Sequence, residues 1–586
     1  MSQQETKDMA KNFYRASAAD FKKIPGGPVA YWIAPKLGEI YLQSTLLQEH
    51  AHSMQGMITG NNDRFLRRWF EVDRAKLSIG CDDINDVDVN KKNWIPYNKG
   101  GDLRKWYGNN DFILNWKNEG RDLTRPRTQN KDYYFKPCIT WTFISSSFFS
   151  ARWCDKGVVW DVAGSSAFPR DQKYSFVILA LMCSKVGKAI LESINPTLNY
   201  QVENILALPI HESLENYTEE ISNSVSELIK ISKRDWDSYE TSWDFQVSPL
   251  LMENYEKTVL FSYKSLIDEN RAAYYRSEVL ENNNNELLIN LYGLGDRGLG
   301  DVTLDEITLE SNPHYSYGGG LDSKEIKNIQ RSDLMKDLIS YAIGCMMGRY
   351  SLDKLGLILA SQSETLQDYL HQIPESSFAP DDDAILPLTD QEWFTDDATN
   401  RFREFVRVAW SDEHLQENLD FVAESLCLNA INPKSGESAL DNIRRYLSTQ
   451  FFKDHLRTYK KRPIYWLFSS GKHKAFECLV YLHRYNDGTL ARMRTEYVIP
   501  LSAKLNAYAE KLEQDKEAST SAAETKRLEK EIATLHKQQA ELAEFDEKLR
   551  HFADQRISLD LDDGVKVNYG KFGDLLAEVK AVTGQK

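Results

Sequence analysis

Between Leu501 and Phe552 the apolar residues recur at the spacing of a helical seam. Leu501, Leu505, Tyr508 and Leu512 mark one run, and Leu528, Ile532, Leu535, Leu542, Leu549 and Phe552 mark a second. Ala518-Ser519-Thr520-Ser521 separates them and suits a turn, so the spacing predicts an antiparallel helical hairpin. The seam is short and interrupted by Gln539, which favours a pair folded against its own chain over a surface kept for a partner.

With 586 residues the chain is long enough for several domains, each burying its own core. Its longest apolar run, Phe176 to Cys183, is too short to cross a bilayer, and the polar first residues do not lead into a signal peptide, so a cytoplasmic protein with no membrane partner is expected. The seven cysteines lie far apart with no Cys-x-x-Cys pair, which points to reduced thiols. His50 and His52 have no second ligand pair at zinc spacing, and no metal is expected.

Residues 1–20 read as a loose leader. From 21 to 210 the chain is rich in Trp, Tyr, Asn and Gly, with short apolar or alternating runs such as Pro137 to Phe143 and Gly157 to Val162. This predicts a mixed-sheet domain with long loops and one helix from about Tyr174 to Ser193. Residues 211–290 turn helical through Ile221, Val225, Leu228 and Ile229, break at Asp235-Trp236-Asp237, and resume through Tyr255, Val259 and Tyr263. Residues 291–500 read as a mixed α/β region with helices at Ser332 to Arg349 and Thr399 to Val408, and 501–586 as the hairpin and a further segment. The fold class is thus α+β and multidomain: a mixed-sheet domain, a helical spacer and a largely helical C-terminal region.

Against a formal net charge of -15, cations and aromatics gather at Lys460-Lys461-Arg462-Pro463-Ile464-Tyr465-Trp466-Leu467-Phe468. The five large residues from Ile464 suit a strand covered on both faces, and the cations before them suit phosphate contacts. A second basic stretch lies in the loops between Asn90 and Lys136. Here Lys99, Arg104, Lys105, Asn109, Asn110, Asn115, Arg121, Arg125 and Arg127 offer amide and guanidinium forks of the kind that read base edges, beside glycines that let backbone approach phosphate. Trp106 and Tyr107, amid these, read as core aromatics, with base or sugar stacking as the alternative.

Other motifs carry less. Gly293-Leu294-Gly295-Asp296-Arg297-Gly298 matches Gly-x-Gly-x-x-Gly, but it follows a helix and opens none, so it reads as a turn. Asp381 and Glu392 faintly resemble a nuclease core that lacks its lysine, Phe394 standing there instead. No Gly-x-Ser-x-Gly elbow or P-loop occurs.

Several long stretches resemble one family. Gln55 to Arg67, the Lys99-Gly100-Gly101 and Arg104 to Asn109 segments, Asn195 to Gln201, Trp236 to Trp243, Ile343 to Asp353, Lys461 to Ser470 and Asp560 to Tyr569 are similar to the PglX family, the adenine-specific DNA methyltransferases of bacteriophage-exclusion (BREX) systems. The resemblance implies that residues 21–210 are a target-recognition domain, and it adds Asn61, Asn62, Arg64 and Arg67 to the candidate DNA-binding residues, with Lys460, Lys461 and Arg462 from the later patch. It also implies an S-adenosylmethionine site and an Asn-Pro-Pro-Tyr tetrapeptide in the complete enzyme. Neither occurs here: Asn195-Pro196, Asn312-Pro313 and Asn432-Pro433 lack the second proline.

The expected function is therefore sequence-specific recognition of double-stranded DNA for a catalytic half supplied in cis or in trans, with no catalytic residue and no cofactor in this chain. Other BREX proteins are the further expected partners. The alternative is an interaction scaffold that docks other defence proteins without reading sequence itself.

Overall fold

The computed structural model describes residues 34–88, 91–121, 123, 130–144, 149–195, 197–252, 258–295 and 299–584. Helices and several small sheets alternate along it, an α+β arrangement in two units that are each discontinuous in sequence. The first unit is Met1–Leu66, Leu77–Trp236 and Glu269–Gly319; the second is Arg67–Lys76, Asp237–Asp268 and Gly320–Lys586. The leader at 1–20 lies outside the described residues.

The first unit is built on β1 (Ser44–Leu46), β2 (Ala51–Met54), β3 (Leu66–Arg68, of which Leu66 belongs to this unit), β4 (Trp94–Asn98), β5 (Phe112–Asn115), β6 (Cys138–Trp141), β7 (Ala151–Cys154), β8 (Val159–Trp160), β9 (Ser166–Pro169) and β10 (Pro209–His211). They form two four-stranded sheets, in the orders β2-β9-β6-β7 and β3-β5-β4-β8, and a β1-β10 pair. Alternation along β6 and β7 divides their side chains between two cores. Ile139, Trp141 and Ala151 pack with the helices, while Cys138 and Cys154 join Tyr97, Leu114 and Trp160 of the other sheet. A sheet covered on both faces accounts for strands that are apolar nearly throughout.

The helix expected from Tyr174 to Ser193 is two helices, α1 (Ser175–Cys183) and α2 (Lys185–Ile194), bent by 71°. Ser184 adopts an extended conformation and its hydroxyl accepts from Gly187 N at 2.9 Å, capping the second helix. A Cβ on Gly187 would lie 2.0 Å from the Leu181 carbonyl oxygen, so the corner needs glycine there. Among the described residues no single helix is long and apolar enough to cross a membrane; this bent pair passes by composition, and its apolar side chains are buried in the unit's core.

Two long helices follow, α3 (Thr218–Asp237) and α4 (Val259–Leu291). The break expected at Asp235-Trp236-Asp237 falls on the last residue of that triplet, α3 ending at Asp237. Asp235 is buried within α3, where its carboxylate accepts from the backbone N–H groups of Glu310 and Ser311 at 2.8 and 2.9 Å. Tyr255 lies outside the described residues. The glycine-rich stretch behaves as a turn: α4 ends, Gly293 takes φ 61°, and Leu294 N bonds back to Ile289 O. Residues 296–298 of that stretch lie outside the described residues.

In the second unit α5 (Ser323–Met346) begins nine residues before the expected start, because its first turns are exposed and polar and are held by a capping box between Asp322 and Glu325. It packs with α6 (Ala398–Trp410) and α7 (Leu415–Asn429). A short helix α8 (Phe452–Thr458) leads to a three-stranded antiparallel sheet, β11 (Ile385–Pro387), β13 (Glu477–Tyr481) and β12 (Tyr465–Ser469), in that order. Tyr465 to Phe468 are all buried, as the apolar run required. The hairpin is formed by α9 (Ile499–Ala518) and α10 (Ala522–Asp554), with Leu501, Leu505 and Leu512 buried on one helix and Leu528, Ile532, Leu535, Leu542, Phe545 and Leu549 on the other. Gln539 bonds across it, donating to Asn506 Oδ1 at 2.8 Å.

Candidate nucleic-acid interface

The loop from Gly100 to Asn110 lies as a strap over the first unit's own helices. Trp106 N donates to Ala151 O and Trp153 N to Trp106 O, so the strap runs beside the edge strand β7. Arg104 is 2% exposed. Its guanidinium donates to Glu310 at 2.6 Å and Asp235 at 3.4 Å and stacks over Trp236. Burial works against its charge, but the two carboxylates more than offset this and raise its pKa above the ordinary value. Lys105 donates to Glu281 Oε2 at 2.5 Å while Trp106 Nε1 donates to Glu281 Oε1 at 2.8 Å. Tyr315 donates to the Leu103 carbonyl, and Lys233 lies over the Tyr107 ring. Asn109, buried at φ 61°, donates to Asp102 O and packs against Gly101.

These contacts correct the expectation for Arg104, Lys105 and Asn109. Their polar ends are spent on tying the strap to the helices and on closing the loop itself, so they are not presented at the surface. Asn110 is half-buried beside them. Beneath the strap Arg152 is also fully buried, with only Nη1 near an acceptor, the Arg104 carbonyl at 3.5 Å. Burial, reinforced by the Arg104 charge, lowers its pKa to about 10.

A different edge of the same unit gathers the remaining candidates. Met57 bridges Asp161; Asp161 N bonds Asn98 O; Gly164 packs against Asn98 and Gly100; Gly100 packs against Ala163 and Thr142; and Phe143 N bonds Ala163 O. Tyr200 N then bonds Phe143 O, and Ile144 bridges Asn199. This unbroken series of backbone contacts joins five segments into one rim. Gly100 permits the closest approach, since a Cβ there would lie 2.7 Å from the Ala163 carbonyl, and it adopts φ 77°.

On this rim Asn61, Asn62 and Arg64 are exposed and Lys99 is half-buried over the Phe112 ring. Asn61 caps the short helix Asn62–Phe65 by accepting from Arg64 N, and Asn62 accepts from the Thr59 hydroxyl at 2.6 Å. Asp63 and Asp102 are exposed on the same segments, so the rim is close to neutral. Ile144 and Leu198 are 65% and 55% exposed, and the antiparallel bridge from Ile144 is to Asn199. The Leu198 turn is pinned by Asn195, whose side chain accepts from Thr197 and donates to Asn199 O at 2.7 Å.

The other candidates lie elsewhere. Asn115 closes β5, its side chain accepting from Lys117 N and Asn93. Arg121 is exposed and paired with Glu119. Arg125 and Arg127 fall outside the described residues. Arg67 belongs to the second unit and is corrected as well: its guanidinium is buried, donating to the carbonyls of Asp562 and Asp563 at 3.2 and 3.0 Å and packing on Gly564, and burial depresses its pKa.

Also in the second unit, Lys460 and Lys461 follow α8 and are exposed, with φ of 50° and 60°. Two successive non-glycine residues in the left-handed region are uncommon, and here they turn both side chains outward before β12. Arg457 and Lys453, exposed one and two turns earlier, continue the same basic stretch, Arg457 being paired with Asp454. Arg462 is half-buried, donating to Lys461 O and Val582 O and lying 3.8 Å from Glu71.

The chain is 46% identical over 574 residues to the adenine-specific methyltransferase BrxX of Escherichia coli O9:H4 (strain HS), covering 96% of this chain and 46% of that protein. It is 37% identical over 582 residues to the adenine-specific methyltransferase PglX of Lacticaseibacillus casei (strain Zhang), covering 95% of this chain and 45% of that protein. The chain is thus similar to two adenine-specific methyltransferases over nearly its whole length. It spans slightly less than half the length of either relative. No family model matches it.

Of the sequence candidates, Asn61, Asn62 and Arg64 are exposed on the segment that follows Met57 and Lys99 lies next to Asn98 and Gly100 of the rim, while Lys460, Lys461 and Arg462 share one turn. Ile144, Leu198 and Asn199 escaped the sequence reading. A lone exposed aliphatic carries no signal, and the bridge that pairs the segments joins residues 55 positions apart.

Proposed function

We propose that this chain is the DNA-recognising part of an adenine-specific DNA methyltransferase in a BREX-type phage-defence system. In this reading the rim of the first unit reads base edges in duplex DNA. Asn61 and Asn62 supply amides and Arg64 a fork for purine edges, while Lys99 adds a donor. The near-neutral balance of the rim suits base reading better than phosphate neutralisation. Phosphates are taken by Lys453, Lys460 and Lys461, which position the duplex without reading it.

The observation that carries the proposal is similarity to two adenine-specific methyltransferases over nearly the whole chain. The present sequence has no Asn-Pro-Pro-Tyr tetrapeptide. We therefore propose further that the S-adenosylmethionine site and the methyl-transfer chemistry come from residues outside this sequence, in cis or in trans. An enzyme that modifies a base needs both a device to find its sequence and a pocket for the extruded base, and this chain is assigned the first.

Anisotropy titrations of the chain with labelled duplexes at several salt concentrations test this. Binding whose logarithm falls linearly with the logarithm of salt, with a preference for particular sequences, is expected. Binding that is absent at near-physiological salt would leave the scaffold role instead. Calorimetry with S-adenosylmethionine should show no saturable heat for the chain alone.

A further inference from the structure

We propose that Cys138 and Cys154 of the first unit are a dithiol that a small hydroperoxide converts to a cross-strand disulfide, with Arg152 as the cation that stabilises the attacking thiolate. The site stands apart from the DNA-recognition reading above. Buried cysteines commonly pack as small apolar side chains, and one alone would carry no message. These two are opposed. β6 and β7 run antiparallel with Cys138 facing Cys154 across one rung. Opposed residues on antiparallel strands hold their Cα atoms about 4.5 or 5.5 Å apart, according to the type of rung, and a disulfide spans roughly 4.4–6.8 Å. Either type of rung therefore admits the bond on the backbone as it stands. Both side chains enter the same core, their thiols are in hydrogen-bonding contact, and neither is in a disulfide.

Arg152 gives the pair a direction. Two residues before Cys154 on β7, it occupies the same face by strand alternation and stands opposite Thr140. It is fully buried, and its Nε and Nη2 have no hydrogen-bond partner among the described residues. Buried cations are ordinarily matched by a carboxylate, but the groups that act on this one are Arg104, which repels it, and the Cys154 and Cys183 sulfurs. A thiolate at Cys154 would supply the missing counter-charge. At rest, contact with Cys138 and burial hold the Cys154 thiol well above its ordinary pKa while Arg152 pulls the other way, so the pair stays reduced until an oxidant meets the minor thiolate. Cys183 is committed elsewhere: it packs against the helical core and donates to Ala151 O at 3.2 Å. Cys138 and Cys154 are 5% and 6% exposed, which favours an oxidant as small as hydrogen peroxide over a bulky disulfide. The Cys154 sulfur attacks one peroxide oxygen, the O–O bond breaks, and hydroxide departs, leaving a sulfenic acid. The Cys138 sulfur then attacks Cys154 Sγ, forming the S–S bond and expelling a second hydroxide. The two thiol protons complete two waters, so two thiols are oxidised and one peroxide is reduced.

The test treats the folded full chain with hydrogen peroxide, quenches with catalase, unfolds the chain in iodoacetamide and maps its peptides by mass without reduction. A species joining Cys138 to Cys154, lighter by two hydrogens than its two peptides and reversed by dithiothreitol, is expected. Cys138→Ser should leave a sulfenic acid on Cys154 that dimedone traps, whereas Cys154→Ser should leave Cys138 largely unmodified. Arg152→Met should slow disulfide formation roughly tenfold, since losing one neighbouring cation lowers the thiolate fraction, and Arg152→Lys should retain more of the rate. Replacing an uncompensated buried cation by an apolar side chain should leave the unit folded, and the wild-type map needs no variant at all. Cys138 and Cys154 that remain open to alkylation while Cys81 is oxidised overturn the inference, as does a bond from either to Cys81 or Cys183. A rate unchanged in Arg152→Met, in chain that keeps its circular-dichroism spectrum, overturns the role of Arg152.

Discussion

Arg104 shows how the meaning of a residue changes between sequence and fold. In the sequence it stands among Lys, Asn, Trp and Gly, the composition of a DNA-contacting loop, yet its charge is held by Asp235 and Glu310, 131 and 206 residues further along. Removing it strands a buried carboxylate. Arg104→Ala should cost roughly 3 kcal/mol of stability, read from the denaturation midpoint, while affinity of the folded fraction for DNA stays unchanged. Normal stability with lost binding would mean that the side chain is released to reach DNA. Lys460 and Lys461 invert the pattern. Changing both to alanine should lower the slope of log affinity against log salt by about 2, equally on all sequences, and leave the fold intact. A preserved slope would remove them from the interface.

The buried polar cluster of the second unit makes a residue-scale prediction with a defined sign. Glu240 accepts from the Tyr459 hydroxyl at 3.0 Å, and burial raises its pKa from 4.5 to about 7. The folded state therefore holds the proton more tightly than the unfolded state. The resulting stability is complete below about pH 4.5 and is lost as pH rises through 7. His455 and His483 act in the opposite direction. His455 Nε2 accepts from the backbone N–H of Ile464 and Tyr465, and burial next to Arg349 lowers both imidazoles to about 3. Their contribution is full above about 6.5 and is lost as pH falls towards 3. Comparing Glu240→Gln with the wild type cancels the histidines. The difference in unfolding free energy should move in favour of the variant by on the order of 3 kcal/mol between pH 4.5 and 7.5. A pH-independent difference would show that Glu240 does not titrate in this window.

At the scale of elements, local periodicity and global burial were legible to different degrees. The hairpin could be read because its leucines repeat at fixed spacing, and β12 because five large apolar residues in a row leave little alternative. The α1–α2 corner could not, because an apolar stretch without polar interruption has no face from which to infer a bend. What breaks it is a hydroxyl cap and a missing Cβ. Gly187→Ala sets a methyl against the Leu181 carbonyl, and a loss of about 2 kcal/mol or more is expected by thermal or chemical unfolding. An unaffected Gly187→Ala would mean that the corner can relax. The strap was illegible for a related reason: its partners are distant carboxylates, and only the fold reveals that they are near.

At the scale of the whole molecule, the two basic stretches singled out in the sequence separate by task. Among the described residues, the first contains residues that fasten a strap and residues exposed along a rim. Exchanging the rim segments, residues 56–64, 98–102, 142–144, 161–166 and 195–200, for those of a relative with a different target should change the sequence methylated when a catalytic half is present. Exchanging residues 103–110 alone should change stability and leave the methylated sequence as it was. Long-read sequencing of modified genomic DNA from cells carrying each exchange distinguishes them. If the strap exchange, stably folded, altered the motif while the rim exchange did not, the ion pairs of Arg104 and Lys105 would have to open on DNA. Opening would give up two buried carboxylate contacts, at Asp235 and Glu281, which only a strong compensating grip on phosphate or guanine could offset. The rim asks for no such rearrangement, since Asn61, Asn62 and Arg64 already face solvent.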